Sequence, residues 1–396
     1  QNKLNVLASI KKSSSGIKNG IIIDKERAKM SINEAIKDIN SSLGVNIDKA
    51  IINVPMYDSE YMVNEGSTTI TNENKVVTGN DMVNALQGSI YNKIPKSREL
   101  VTIQPIKYNV DDEKKDLLNP RGIRADKLYV TSMCMTVPKK NIYVVISILQ
   151  ELNIEVIDIL FGIIGDYYEF KNKEISNGVC GVIDIGSDKT EVAVFKNGIM
   201  FNSNVIKNGS NSIDKDISYI YNISNNQAKR IKETFALAHK EFASTSDIYE
   251  ITNKPGIKTK INQYEISEIV NSRLKEMLEN AKKSLNDLTK KEISYIIVSG
   301  GIVNMPGFEI LCKEVIGDNI IIKSINTIGA RDNSYSEAIG MIRYFIDKLS
   351  IRGKDYTMFD DDKYFDLVEN KRNNINNGNT SVFGKLFGYL FDNKED

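Results

Sequence analysis

The segment Gly181–Phe195 reads GVIDIGSDKTEVAVF and is the most informative part of the sequence about its architecture. Two runs rich in β-branched residues flank a short polar turn, so the pattern predicts a strand, a tight turn and a second strand. Asp184 ends the first strand and Gly186 lies in the turn. Glycine lets phosphate oxygens approach the backbone N–H groups of such a turn, and the aspartate suits Mg²⁺ held through water. A plain β-hairpin with a polar tip fits the same residues.

A second motif lies at Tyr295–Phe308, which reads YIIVSGGIVNMPGF. A buried-type strand ends at Gly300 and Gly301, and a helix begins from Gly307. Paired glycines at a strand end allow a base or a ribose to lie flat against the backbone. A simple strand-to-helix turn shows the same pattern, so this motif alone leaves both interpretations open.

Strands and helices alternate around both motifs, which indicates α/β layering. The stretch 57–138 is more polar, with short strands such as 101–103 and 128–131, and is predicted to be a compact α+β insertion. The other predicted strands are 4–10, 20–23, 50–55, 154–159, 293–298 and 320–323. The predicted helices are 31–43, 79–90, 141–152, one from 307 and one at 334–346, with 211–288 mostly helical. His239, the single histidine, falls in that helical stretch and is interpreted as structural.

The order of the two glycine motifs resembles the phosphate and adenosine motifs of the actin, Hsp70 and sugar-kinase superfamily. Tyr335–Ile342, YSEAIGMI, resembles the small-residue helix that crosses between the halves of that fold. Within the superfamily, the chain is most similar to FtsA, the family of actin-like bacterial cell-division proteins. The segments that carry this closer resemblance are 2–7, 16–21, 209–216, 227–232 and the insertion.

The resemblance implies an α/β, actin-like ATPase fold: two ribonuclease-H-like domains with an inserted α+β subdomain, the SHS2 domain, in the first. A first phosphate loop is expected before Gln1. The implied order is the first domain at 1–56, the insertion at 57–138, the first domain continued at 139–175, the second domain at 176–204, its small subdomain at 205–290, the second domain continued at 291–352, a linker at 353–380 and a terminal helix at 381–396.

The resemblance also implies ATP and Mg²⁺ as cofactors, with Asp184 holding the Mg²⁺ through water. The implied nucleotide-binding residues are Asp184, Gly186, Ser187, Asp188, Lys189, Thr190, Gly209, Lys229, Lys232, Gly300, Gly301 and Ile302. The chain departs from the family pattern in the phosphate turn and at one further residue. Asp188 and Lys189 stand in a turn where small residues are usual, and Lys229 stands where an acidic ribose contact is expected. We therefore expect at most a weak ATPase, with no catalytic residue assigned, and mainly a scaffold.

The amino-acid composition changes in the C-terminal region. Residues 353–380 are acidic and then Asn-rich, which is typical of a disordered linker. Wound as a helix, the next segment, SVFGKLFGYLFD, places its apolar residues on one arc. These residues are Val382, Phe383, Leu386, Phe387, Leu390 and Phe391. We predict that they bind a membrane interface, with burial worth at most on the order of 10 kcal/mol. Docking of this helix on the chain's own domain is the alternative.

The family resemblance implies a role in division. It implies a protein that polymerises with itself, tethers the tubulin-like FtsZ ring to the cytoplasmic face of the cell membrane at the septum, and recruits later division proteins. FtsZ is expected at the small subdomain and the later proteins at the insertion. Three alternatives remain: a sugar-kinase-like phosphotransferase, a pilus-assembly actin homologue, and an adaptor paralogue that binds no nucleotide.

Composition narrows the classes of function. Basic and acidic residues balance at 52 each, so no overall basic field favours nucleic acid as a partner. Three scattered cysteines and one histidine argue against a disulfide framework and against a multi-histidine metal site. The first residues do not resemble a signal peptide, and no stretch approaches the roughly 18 apolar residues of a spanning helix. We therefore expect a cytosolic protein attached to the membrane by its terminal helix.

Overall fold

A computed structural model describes residues 4–111, 113, 115–351 and 353 of the chain. The described residues divide into two compact units. The first contains the residues up to Tyr168, Thr327–Ala330 and those from Ala338 onward, and the second contains Glu169–Asn326 and Arg331–Glu337. Within the described part of the chain, no helix is long and apolar enough to cross a membrane.

Among its described residues, the first unit pairs its strands in three separate sheets. In chain order, the elements are β1 (Ile17–Lys18), β2 (Ile21–Ile22), α1 (Lys25–Leu43), β3 (Lys49–Asn53), β4 (Glu60–Thr69), α2 (Gly79–Ile90), β5 (Arg98–Val110), β6 (Lys127–Pro138), α3 (Lys140–Glu151), β7 (Glu155–Leu160) and α4 (Gly162–Phe170). β1 and β2 form an antiparallel pair, and β3 lies parallel to β7. Asp24 caps α1 by accepting a hydrogen bond from the N–H of Arg27, and Gly44 ends the helix in the left-handed conformation.

The inserted segment forms an antiparallel sheet of order β4-β6-β5 with α2 packed on it. Thr78 and Asp81 form a capping box that starts α2. Gly66 of β4 lies so close to α2 that a Cβ there would come within 2.3 Å of the Ser89 nitrogen. The strands are longer than the pieces predicted at 101–103 and 128–131, because cross-strand pairing extends them beyond the locally alternating residues.

The second unit is built around a five-stranded sheet of order β10-β9-β8-β13-β14. Its elements, with α10 running on into the first unit, are α5 (Lys173–Ser176), β8 (Val179–Ile185), β9 (Thr190–Lys196), β10 (Ile199–Ile206), α6 (Asn211–Tyr221), α7 (Asn225–Thr234), β11 (Ile248–Thr252), β12 (Lys258–Asn262), α8 (Gln263–Leu288), β13 (Tyr295–Ser299), α9 (Phe308–Ile316), β14 (Ile320–Ile321) and α10 (Ser336–Ser350). β13 pairs in parallel with both β8 and β14. β9 pairs in antiparallel with both β8 and β10. α8 buries an apolar stripe that includes Leu274, Leu278 and Ala281 in the core of this unit.

The stretch 211–288 is mostly helical, as predicted, and β11 and β12 add a hairpin to it that was not predicted. Two other local predictions are wrong. Residues 4–10 form no strand; they lie against the loop at Gly329, whose carbonyl accepts a hydrogen bond from Ser9 Oγ at 2.7 Å. His239 lies in a bend before a short 3-10 helix and not in an α-helix. In each case, packing against a distant segment overrides the local pattern.

Candidate functional site

The two glycine motifs meet at one edge of the second unit's sheet. β8 and β13 are parallel neighbours, with Asp184 opposite Ser299, so their carboxyl ends lie side by side. Gly300 has φ +97, and a Cβ there would lie 2.3 Å from the Ile185 carbonyl oxygen and 2.8 Å from Asp184 Oδ1. Only glycine fits such a contact in that conformation. The structure therefore brings together residues that are far apart in sequence.

The turn between β8 and β9 is short and closed. The N–H of Gly186 donates to the Lys189 carbonyl at 3.0 Å, and Ile185 pairs with Thr190 across the hairpin. Thr190 Oγ1 donates to the Asn208 carbonyl at 2.8 Å. The turn is therefore bonded both within itself and to the segment that precedes α6.

That segment, residues 208–211, lies directly on the turn. A Cβ at Gly209 would come within 2.5 Å of the Ser187 carbonyl oxygen and 2.6 Å of the Lys189 nitrogen. Asn211 donates its side-chain amide to Asp188 Oδ1 at 2.8 Å. Asp188 is thus engaged by a neutral donor within the protein.

Charge at the turn is concentrated in buried groups. Asp184 and Glu191 are direct partners across β8 and β9, and both side chains are more than nine-tenths buried. Like charges in such a position destabilise a strand pair unless a cation compensates them. The ammonium of Lys189 pairs with Glu191 Oε1. It supplies that compensation inside the site.

The protonation of Lys189 follows from its surroundings. Burial lowers the pKa of its ammonium, but the pair with Glu191 and two further carboxylates outweigh burial and raise the pKa above its ordinary value. The two further carboxylates belong to Asp184 and Glu337. Lys189 therefore carries its positive charge at neutral pH.

Two carboxylates are placed to serve a divalent cation. Carboxylate oxygens of Asp184 and of Glu337, in the first turn of α10, lie within 4.8 Å of one another. Oxygen donors of this kind suit Mg²⁺, which keeps most of its water shell when it binds protein. The donor set thus fits the cation predicted at Asp184. Glu337 adds a carboxylate that sequence reasoning did not select, although it lies in the YSEAIGMI helix.

The remaining predicted residues occupy different surroundings. Gly301 has open space, with Ser334 Cβ at 3.7 Å from the position of an added Cβ, and Ile302 is buried in the core. Lys229 lies exposed on α7, with Nζ 3.9 Å from Glu233 of the same helix. Lys232 is buried. The six apolar residues predicted to bind membrane, Val382 to Phe391, lie outside the described residues.

Comparisons with known proteins bear on the whole chain. The model of the family described as Cell division protein FtsA matches residues 181–340, and the SHS2 domain inserted in FTSA matches residues 59–136. Cell division protein FtsA of Bacillus subtilis (strain 168) is 26% identical over 353 residues, which cover 89% of this chain and 80% of the relative. The chain belongs to the FtsA family. FtsA of Streptococcus pneumoniae serotype 2 is 23% identical over 345 residues, 86% of this chain and 75% of that protein.

The solved structures agree with the FtsA assignment at the level of fold. A chain of a PilM–PilN type IV pilus biogenesis complex matches with a TM-score of 0.56 and 13% identity, covering 86% of this chain and 91% of that chain. The predicted actin-like α/β fold with an SHS2 insertion is confirmed. Membership of the FtsA family also confirms the predicted connection to cell division.

Proposed function

We propose that this FtsA-family chain is a division scaffold that binds ATP with Mg²⁺ in its second unit, polymerises, and tethers the FtsZ ring to the cytoplasmic face of the membrane at the septum. Later division proteins would bind the SHS2 insertion. One observation supports the proposal that the chain binds ATP. The Asp184–Thr190 turn, Gly209 and Gly300 lie together at one edge of the sheet. The membrane part rests on the apolar arc of residues 382–391.

The roles of the site residues follow from their chemistry. Backbone N–H groups of the β8–β9 turn would hold phosphate oxygens, and Gly300 would let the nucleoside approach the backbone. Asp184 and Glu337 would hold Mg²⁺, largely through its water shell. The cation would supply positive charge between the polyphosphate and these carboxylates. Lys189, which is paired with Glu191, offsets one of the buried negative charges of the site.

The chain has no assigned catalytic base, so nucleotide would act as a switch between conformations and not as fuel for a metabolic reaction. Bound ATP would favour the polymer. Many weak terminal helices on one polymer would then bind the membrane together, since linked binding sites add avidity without new contacts.

A second candidate is an adaptor that binds no nucleotide. Two interactions in the β8–β9 turn favour this candidate: Asp188 accepts a hydrogen bond from Asn211, and Lys189 forms an ion pair with Glu191. Neither side chain then offers an uncommitted group to a phosphate. Such a protein would attach to membrane and partners in the same way, but without a switch.

Co-sedimentation with phosphatidylglycerol/phosphatidylethanolamine vesicles tests the proposal. The intact chain is compared with one ending at Asn379, each with and without Mg·ATP. Phe387→Ser on the apolar arc is matched with Asp392→Ser on the polar face. We expect only the intact chain and Asp392→Ser to pellet, and ATP to strengthen pelleting.

The other outcomes are equally informative. If all forms stay in the supernatant, the membrane part of the proposal is wrong. If the intact chain pellets equally with and without ATP, and a fluorescent ATP analogue does not bind it, the adaptor is the better account.

A further inference from the structure

Lys232 does not have the surroundings of a nucleotide ligand. Its side chain is only 4% exposed, and Nζ lies 2.8 Å from Asp214 Oδ1, whose side chain is 6% exposed. The same ammonium donates to the Ser210 carbonyl at 3.2 Å. Lys232 belongs to the last turn of α7, whereas Asp214 and Ser210 belong to the start of α6. The lysine therefore connects one helix to the entry of another.

The residues it holds are those that hold the phosphate turn. The N–H of Ser210 donates to the Gly186 carbonyl at 2.9 Å, and the N–H of Asn211 donates to the Ser187 carbonyl at 2.8 Å. The Asn211 side chain adds the bond to Asp188. The contacts run without a gap from α7, through the segment before α6, to the β8–β9 turn.

We propose that Lys232 is a positioning residue, which fixes the conformation of the β8–β9 turn from α7 through residues 208–211. The inference deepens the proposed function, because it assigns a control to the site proposed for phosphate. A buried ammonium must keep its partners, since leaving it unpaired is costly. Any shift of α7 against α6 therefore moves Ser210, and with it the turn. A ligand that binds the outer face of these two helices would change the turn without touching it.

Two features separate this role from simple stabilisation of the helix pair. Asp214 alone would suffice to neutralise the lysine, yet the ammonium also bonds the backbone at Ser210. Lys229, one turn earlier on α7, is exposed, and within the described part of the chain its ion pair is with Glu233 of the same helix. Lys229 is therefore a matched control: the same residue type on the same helix, without the connection.

Hydrogen–deuterium exchange of the full chain without nucleotide tests the inference. Lys232→Met alone leaves Asp214 buried and unpaired, so it risks unfolding. The double variant Lys232→Met with Asp214→Asn removes both charges. We expect amide exchange in peptides covering 185–190 and 208–212 to become about tenfold faster in the double variant, because a charge-assisted hydrogen bond is lost. Exchange in the β11–β12 hairpin should be unchanged, and Lys229→Met should match the wild type.

Two exchange results would overturn the inference. One is unchanged exchange at the turn. The other is an equal rise throughout the second unit, which would mean general loosening.

Titration with a fluorescent ATP analogue gives a second readout. The double variant should bind about tenfold more weakly than the wild type. Weaker binding with unchanged turn exchange would make Lys232 a direct ligand and would also overturn the inference. If the wild type binds no analogue, the proposed nucleotide site fails, while the exchange result still decides the role of Lys232.

Discussion

Lys348 and Asp158 form a buried ion pair in the first unit. Lys348 Nζ lies 2.7 Å from both carboxylate oxygens of Asp158, and each side chain is 6% exposed. Lys348 lies about two helical turns after Gly340 in α10. At Gly340, α10 packs against α4. In the same helix, the Tyr344 hydroxyl lies 2.7 Å from Thr102 Oγ1 of β5. The pair thus fixes α10 to β7, while the tyrosine connects the helix to the insertion.

Removing one member of this pair should be costly. Lys348→Met leaves the Asp158 carboxylate buried without its cation, and we expect unfolding of the first unit to become easier by about 3–5 kcal/mol. The double variant with Asp158→Leu removes both charges and should recover most of that loss. Urea unfolding followed by circular dichroism measures both, with the two units fitted as separate transitions. A loss below about 1 kcal/mol in Lys348→Met would contradict the prediction.

The hydrogen bonds of Glu151 with two lysines should make the stability of the folded chain depend on pH. Hydrogen bonds from Lys25 and Lys29, both at 2.6 Å, lower its pKa from 4.5 to about 2. Because the pKa in the folded chain lies below the unfolded value, the stabilisation is fully present above about pH 4.5 and is lost as the pH falls toward 2. Denaturation midpoints of the wild type and Glu151→Gln should therefore differ at pH 6 and converge near pH 2. A difference that is constant over this range would rule out the linkage.

The crossing of α4 and α10 requires glycine. A Cβ at Gly340 would lie 1.7 Å from the Gly165 carbonyl oxygen, so the two helices have no room for it. We expect Gly340→Ala to destabilise the first unit by about 3 kcal/mol or more. Gly88→Ala, in α2, is the comparison: its Cβ would meet the Ser67 carbonyl oxygen at 3.1 Å, a tight contact that a shift of a few tenths of an ångström relieves. Thermal unfolding should place that variant within about 1 kcal/mol of the wild type.

Gly300 and Gly301 should respond differently to the same substitution. Gly300→Ala introduces a Cβ 2.3 Å from the Ile185 carbonyl at a φ of +97, whereas the nearest atom to a Cβ at 301 is 3.7 Å away. We expect Gly300→Ala to weaken binding of a fluorescent ATP analogue by about tenfold or more and to lower thermal stability, by displacing β13 from the β8–β9 turn. Gly301→Ala should leave thermal stability unchanged, because its Cβ would meet no protein atom closer than 3.7 Å. Equal effects of the two variants would mean that the close approach at Gly300 does not shape the site.

Much of the fold followed from local pattern. The β8–β9 hairpin and the helix at 79–90 were predicted correctly, because the residues that specify each of them lie within a few positions of each other. The β11–β12 hairpin was missed, although Pro255 and Gly256 supply a turn signal between its strands. The strand predicted at 4–10 was wrong because a strand exists only where a partner completes its ladder.

The candidate site was predictable in part. Asp184, Gly186 and Gly300 were selected because strand ends and glycines are visible in sequence. Glu191 and Glu337 were not, because nothing near either residue marks it. Glu191 contributes to the charge of the site because it is the partner of Asp184 across β8 and β9. Glu337 contributes because its carboxylate lies within 4.8 Å of the Asp184 carboxylate. Both relationships arise from pairing or packing between segments that are separated along the chain.

The layering of strands and helices, the family and the turn at 184–190 could be predicted from the amino-acid sequence, since each depends on residue order over short distances. Tertiary structure alone decided what each charged side chain does. Lys229 and Lys232 are three residues apart on one helix, and both were assigned to the nucleotide. Folding leaves the first in solvent and buries the second against Asp214 and Ser210. The reason is physical: a charge takes its role from its burial and its partners, and both are set by segments distant in sequence.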